Sequence, residues 1–156
     1  MIQRARAQLV AIELSNESNS ACDEAALISV AEFTLDAMGI HPESDVSITV
    51  VDEDRMSELH VEWMDLEGPT DVLSFPMDEM LPNSAADGPG IVGDIVLCPD
   101  FAAKQAVKHS LADELALLTI HGLLHCLGYD HAEKAEEVVM FELQDDILAR
   151  WKSSRS

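Results

Sequence analysis

Val46, Ile48 and Val50 alternate with Ser47 and Thr49, the two-residue period of a strand with one buried face. The same reading divides the rest of the chain. Leu9 to Leu14 reads as a first strand, closed by a polar turn over Ser15 to Ser20. Glu24 to Met38 carries Ala26, Leu27, Val30, Phe33, Leu35 and Met38 at helical spacing, with Asp23 as N-cap and Gly39 as the stop. Asp52 to Trp63 reads as a short acidic helix capped by Asp52. Leu66 to Thr70 is a turn, and Asp71 to Phe75 a strand halted by Pro76. Asp78 to Pro89 is acidic and rich in Pro, Gly, Asn and Ser, which predicts a mobile surface loop at a cleft mouth. Gly90 to Leu97 is a further strand, ended by Pro99. Helices are expected over Phe101 to Lys108, Leu111 to Leu127 and Glu133 to Trp151, with Ser153 to Ser156 frayed.

Strands and helices mix without strict alternation, and there is neither a repeat nor a linker. The expected fold is therefore α+β: one domain over residues 1–156, with a single small mixed sheet of about four strands packed with helices. The candidate chemistry falls at the end of a central helix.

Composition narrows the class. The chain has 156 residues, 47% of them hydrophobic, enough for one domain with a real core. Three cysteines without CxxC spacing argue against a disulfide scaffold and fit a reducing cytoplasm. Arg4 and Arg6 precede an apolar run that is too short for a signal peptide and is broken by Glu13. The uncharged run from Leu115 to Tyr129 is shorter than a membrane span. A formal charge of −21 argues against a general nucleic-acid binder or a DNA partner, which would need a basic surface. Any nucleic-acid contact has to be local.

The chemistry concentrates in His121-Gly-Leu-Leu-His125-Cys-Leu-Gly-Tyr-Asp-His131, which holds three of the six histidines. On a helix, residues four apart share a face, so His121 and His125 can converge on one metal ion. Continuing the helix would carry His131 about 240° from His125 in register, off that face. Gly128 is the residue type that stops a helix in a left-handed conformation, and the turn through Tyr129 and Asp130 can bring His131 back. Three neutral imidazoles suit zinc, one per chain, and leave a fourth position for water, whose pKa bound zinc lowers to about 7. Asp130 is either a partner for an imidazole N–H or simply a turn-former, and it is the one candidate to steer the attacking water. Cys126, about 100° round the helix from His125, reads as a small buried hydrophobe.

Histidine spacing of this kind also occurs in metzincin peptidases, which carry a glutamate immediately after the first histidine as general base. Gly122 stands there and cannot take a proton.

The full string resembles the YbeY family of bacterial endoribonucleases. Pro69-Thr-Asp-Val-Leu-Ser-Phe-Pro76 is similar to that family's strand signature, Gly93 to Cys98 to its next strand, and Asn16-Glu17-Ser18 to an early segment. The resemblance covers most of the chain in the same order. It implies a metal-dependent hydrolase of RNA phosphodiesters that matures the 3′ end of small-subunit ribosomal RNA and serves ribosome quality control. It also implies zinc on His121, His125 and His131, and partners among ribosomal RNA, small-subunit ribosomal proteins and assembly factors. The sequence departs from the family at Met64, where many members carry an arginine before the strand signature. A cation there would offset charge on a transferring phosphoryl group. Arg55, Lys104 and Lys108 are the nearest cations in sequence, and solvated helix charge is their simpler reading. Ser74 is a candidate substrate contact, and strand alternation puts Asp71 on the opposite face from it. A second class of function stays open: a non-catalytic assembly factor with a structural zinc, its acidic surface suited to basic ribosomal proteins.

Overall fold

A computed structural model describes residues 12–64, 70–106 and 108–155. The strands among them are β1 (Ile12–Asn16), β2 (Asp45–Val50), β3 (Val72–Pro76) and β4 (Ile91–Leu97). The α-helices are α1 (Glu24–Ala37), α2 (Glu53–Met64), α3 (Pro99–Gln105), α4 (Leu111–Cys126) and α5 (Lys134–Ser154). The strands form one sheet in the order β1-β2-β4-β3. β1, β2 and β4 run parallel, and β3 pairs antiparallel with β4 at the edge. The expected mixed sheet with helices is thus the observed one. Among the described residues, no helix is long and apolar enough to cross a membrane.

Alternation along the strands assigns the two faces. Ile12, Val46, Ile48, Val50, Ile95 and Leu97 pack with Val30, Ile120, Leu123, Leu124, Met140 and Ile147 from α1, α4 and α5 into the main core. The other face carries a smaller cluster of Val51, Met56, Leu73, Val96 and Cys98 under α2. Beside that cluster the sheet is open, forming a groove of about 500 Å³ lined by Glu17, Thr49, Arg55, Trp63, Phe75 and Asp94, among others.

Several element ends differ from expectation for local reasons. β1 runs on to Asn16, two residues into the expected turn, while residues 9–11 lie outside the described residues. Asp23 caps α1 as expected, its carboxylate accepting the Ala26 N–H at 3.0 Å. Asp52 instead turns its carboxylate to Asn19, accepting from the backbone N–H at 2.9 Å and from the side-chain amide at 3.2 Å. Pro76 stands inside β3 rather than beyond it, which an edge strand tolerates because the missing N–H has no neighbour to face. Pro99 opens α3, the first-turn position where its absent donor costs nothing. α3 ends at Gln105, three residues short of the expected Lys108. α5 extends to Ser154, whose hydroxyl donates to the Trp151 carbonyl, so Ser153 and Ser154 are helical rather than frayed.

The acidic loop after β3 is tethered rather than free. Asn83 and Ala85 donate their backbone N–H groups to the carbonyls of Met38 and Gly39 at 2.8 and 2.9 Å. Gly39 permits this approach: it has φ +70°, and a Cβ there would sit 2.6 Å from Asn83 Oδ1.

Candidate metal centre

α4 carries the centre. Ser110 opens it by accepting the Asp113 N–H at 3.1 Å, and its buried positions Leu115, Ile120, Leu123 and Leu124 belong to the main core. Gly122 faces the sheet, where a Cβ would lie 3.0 Å from Ile95 Cδ1 and 3.5 Å from Val72 Cγ2. The missing side chain lets α4 lie close on β3 and β4. His121 and His125 stand about 100° and 60° round the helix from this contact, on the same side of it and half-buried. A glutamate at 122 would point into the sheet, so the fold as well as the sequence excludes it as a general base for a peptidase.

The helix stops as the glycine predicted. Gly128 has φ +99°, its N–H donates to the His125 carbonyl at 3.0 Å, and the Tyr129 N–H donates to the Leu124 carbonyl at 3.0 Å. This pair of bonds is the Schellman motif, which satisfies two carbonyls left over at the helix end. The chain then reverses, and Asp130 holds the reversal by accepting the His131 backbone N–H at 2.7 Å. Of the two roles open to Asp130, the bond in the structure is the turn-forming one.

The three rings converge. Nε2 of His121 and Nε2 of His125 are 3.1 Å apart, and ligand nitrogens of all three histidines lie within 4.8 Å of one another. Two ligands at about 2.0–2.1 Å from one tetrahedral ion stand about 3.4 Å apart, so the helical pair already has nearly that spacing. Among the described residues, the ligand cluster that includes these atoms holds three groups and no fourth.

Gln144 on α5 was not singled out in the sequence. Its Oε1 lies 2.9 Å from His121 Nδ1, and the residue is buried. Since Oε1 only accepts, Nδ1 carries the proton and Nε2 keeps the lone pair that a cation needs. The available signal was a polar residue on the stripe Met140, Gln144, Ile147, Trp151, which α5 otherwise fills with apolar side chains.

Electrostatics favour neutral rings on His121 and His125. Burial pushes His121 below the ordinary imidazole value, the Gln144 bond opposes it, the His131 ring adds to it, and the Asp71 carboxylate opposes it. His125 is likewise lowered, first by burial and then by the other two rings. Burial and the Asp94 charge push the Cys126 thiol up to about 12, and it sits against Gly93, so it remains a protonated core side chain.

The remaining candidates fall in different places. Ser74 pairs with Ile95, so it shares the sheet face that carries α4, half-buried. Asp71 lies just before β3, outside its alternation, and interacts electrostatically with His121 and Glu114, both on α4. The opposite-face expectation therefore does not apply to it. Burial pushes the Asp71 carboxyl up. Arg55 lines the groove on the far face and pairs with Glu58 at 3.1 Å. Lys104 pairs with Glu53 at 2.8 Å, tying α3 to α2. Lys108 is exposed ahead of α4, and His121 follows Leu111 by about 15 Å of helical rise. The structure does not gather these cations at the histidines. Met64 ends α2, and Asp65 to Pro69 lie outside the described residues.

Similarity to known proteins settles its family. The profile of the family described as Endoribonuclease YbeY matches residues 12–152. The chain belongs to the YbeY endoribonuclease family. It is 57% identical over 148 residues to the YbeY of Rhodococcus erythropolis, an alignment covering 91% of this chain and 82% of that one. Against the YbeY of Corynebacterium glutamicum it is 56% identical over 150 residues, covering 91% and 76%. The YbeY of Mycolicibacterium smegmatis is 54% identical over 148 residues. The fold also resembles the solution structure of a Thermotoga maritima protein at 27% identity and TM-score 0.58, covering 92% of this chain and 93% of that one.

Proposed function

We propose that this chain is a zinc-dependent endoribonuclease of ribosomal RNA precursors. It matures the 3′ end of small-subunit ribosomal RNA and contributes to ribosome quality control in the cytoplasm. Small-subunit ribosomal proteins or assembly factors are its partners. The observation that carries the catalytic part is the open three-histidine cluster in a chain whose relatives are endoribonucleases. A structural zinc is closed by four protein ligands, whereas a catalytic one keeps a position free. That difference favours the nuclease over the assembly factor with a metal staple.

His121, His125 and His131 hold the ion. Bound there, a divalent cation supplies activated water and stabilises charge on the phosphoryl oxygens. Gln144 keeps His121 in the tautomer that presents Nε2, and Gly128 and Asp130 bring His131 into reach. Ser74 contacts substrate, a role supported by its sharing the sheet face that carries α4.

The test is cleavage of a structured precursor RNA by the purified chain, with metal content measured on the same preparation. Cleavage is expected to disappear with chelator, to return with zinc, and to be absent in His121→Ala. Activity that survives both treatments sinks the proposal.

A further inference from the structure

Phe141 is an anomaly on α5. The helix buries Met140, Gln144, Ile147 and Trp151 along one stripe, and Phe141 falls just outside it. Its side chain is 38% exposed, and Val138, one turn earlier, is 43% exposed beside it. Its ring faces the metal centre, with centroids 5.9 Å from His131 and 6.2 Å from His121, tilted by 39° and 46°. The other exposed aromatic among the described residues, Trp63, packs edge-on against Phe75 in the groove on the far face of the sheet. Phe141 is thus the exposed aromatic that lies beside the histidines.

The charge balance gives that surface a use. A chain of net charge −21 repels a phosphate backbone, and Arg55 and Lys104 are held by Glu58 and Glu53. Stacking of a base on an aromatic ring needs no positive charge and holds single strands without sequence-specific hydrogen bonds. Purines, with two fused rings, cover more of such a surface than pyrimidines.

We propose that Phe141 stacks on the nucleobase flanking the scissile phosphate and selects a purine there. This rests on the endoribonuclease reading and adds to it a residue that determines specificity. Because Phe141 contacts the base and not the ion, its loss is felt in substrate affinity and base preference while metal content stays constant.

The experiment uses the full chain and short single-stranded RNAs carrying 2-aminopurine at successive positions. Binding is followed by quenching of its fluorescence in the His121→Ala background, and cleavage with the wild-type histidine. Phe141→Leu keeps an apolar side chain and removes the ring, whereas Phe141→Trp keeps a ring. Phe141→Leu is expected to weaken binding and raise KM by roughly 5- to 140-fold, with kcat little changed. It should also erase the purine preference and leave zinc content and thermal midpoint intact, while Phe141→Trp restores binding and preference. Wild-type affinity in Phe141→Leu, or equal cleavage beside purine and pyrimidine in the wild type, overturns the proposal and leaves the nuclease reading standing. Quenching that depends on Phe141 without any cleavage by wild type would support stacking and overturn the nuclease reading. Absence of both binding and cleavage removes both.

Discussion

His121 and His125 reach the candidate metal centre by a different route from His131. The first two ride on α4, whose opposite side is buried in the main core and whose Gly122 lies against Ile95. Their spacing is a property of the helix, and Gln144 fixes the ring of one. His131 stands on an exposed turn, held by a glycine cap and one backbone bond to Asp130. Preorganisation is therefore uneven: two of the histidines are set by the core and one by a clasp. A site built this way keeps two of its three rings in place when the clasp is damaged and little of its geometry when the helix is.

Substitutions can break that contrast, from the largest effect to the smallest. His121→Ala should abolish both zinc binding and RNA cleavage, since it removes a ligand and frees the buried Gln144 acceptor; metal analysis with a cleavage assay checks this. His131→Ala should also stop cleavage but retain weak zinc binding through the helical pair, measured by competition with a chromogenic chelator. Equal residual affinity in the two variants would refute the unequal roles. Gln144→Leu leaves all three ligands and should lower zinc affinity by about 10- to 100-fold. Gly128→Ala forces a side chain into φ +99° and should lower stability by about 1–2 kcal/mol, read from urea denaturation, while loosening His131.

The smallest expected effect sharpens the comparison through pH. Burial lowers His121 and His125 in the folded chain, so the unfolded chain protonates first as pH falls below about 6.5. Their contribution to the stability of the zinc-free protein is full above that value. It is lost progressively as pH falls towards and through the lower folded values. Thermal midpoints between pH 7.5 and 5.0 should fall more for wild type than for a His121→Leu, His125→Leu double variant. Identical slopes would mean that the rings are not held neutral by burial.

How much of this was legible in the sequence depended on the range of the interaction. The four-residue spacing of His121 and His125, the Gly128 stop and the Asp23 cap are settled within one or two helical turns, so local pattern was enough. The departure at Pro76 came from context: a proline reads as a strand-breaker until the sheet order makes β3 an edge. β4 ended before Pro99 as expected, and context moved the start of α3 from Phe101 to Pro99, because the first turn gives the missing N–H a harmless place. The loop over 78–89 read as free because its partners, the Met38 and Gly39 carbonyls, are distant in sequence.

The candidate cations mark the same boundary. Arg55, Lys104 and Lys108 are the cations nearest in sequence to the missing arginine, and folding sends them to the far sheet face, an ion pair with α2 and the far end of α4. From the chain alone come the mixed α+β class, the three clustered histidines and the turn that gathers them, because each follows from backbone periodicity and one glycine. Only the tertiary structure decided which residues surround those rings: Gln144 behind His121, Phe141 beside the rings, Gly122 against the sheet. Those neighbours meet across helices and strands whose relative placement depends on packing of the whole core, and no local pattern encodes it.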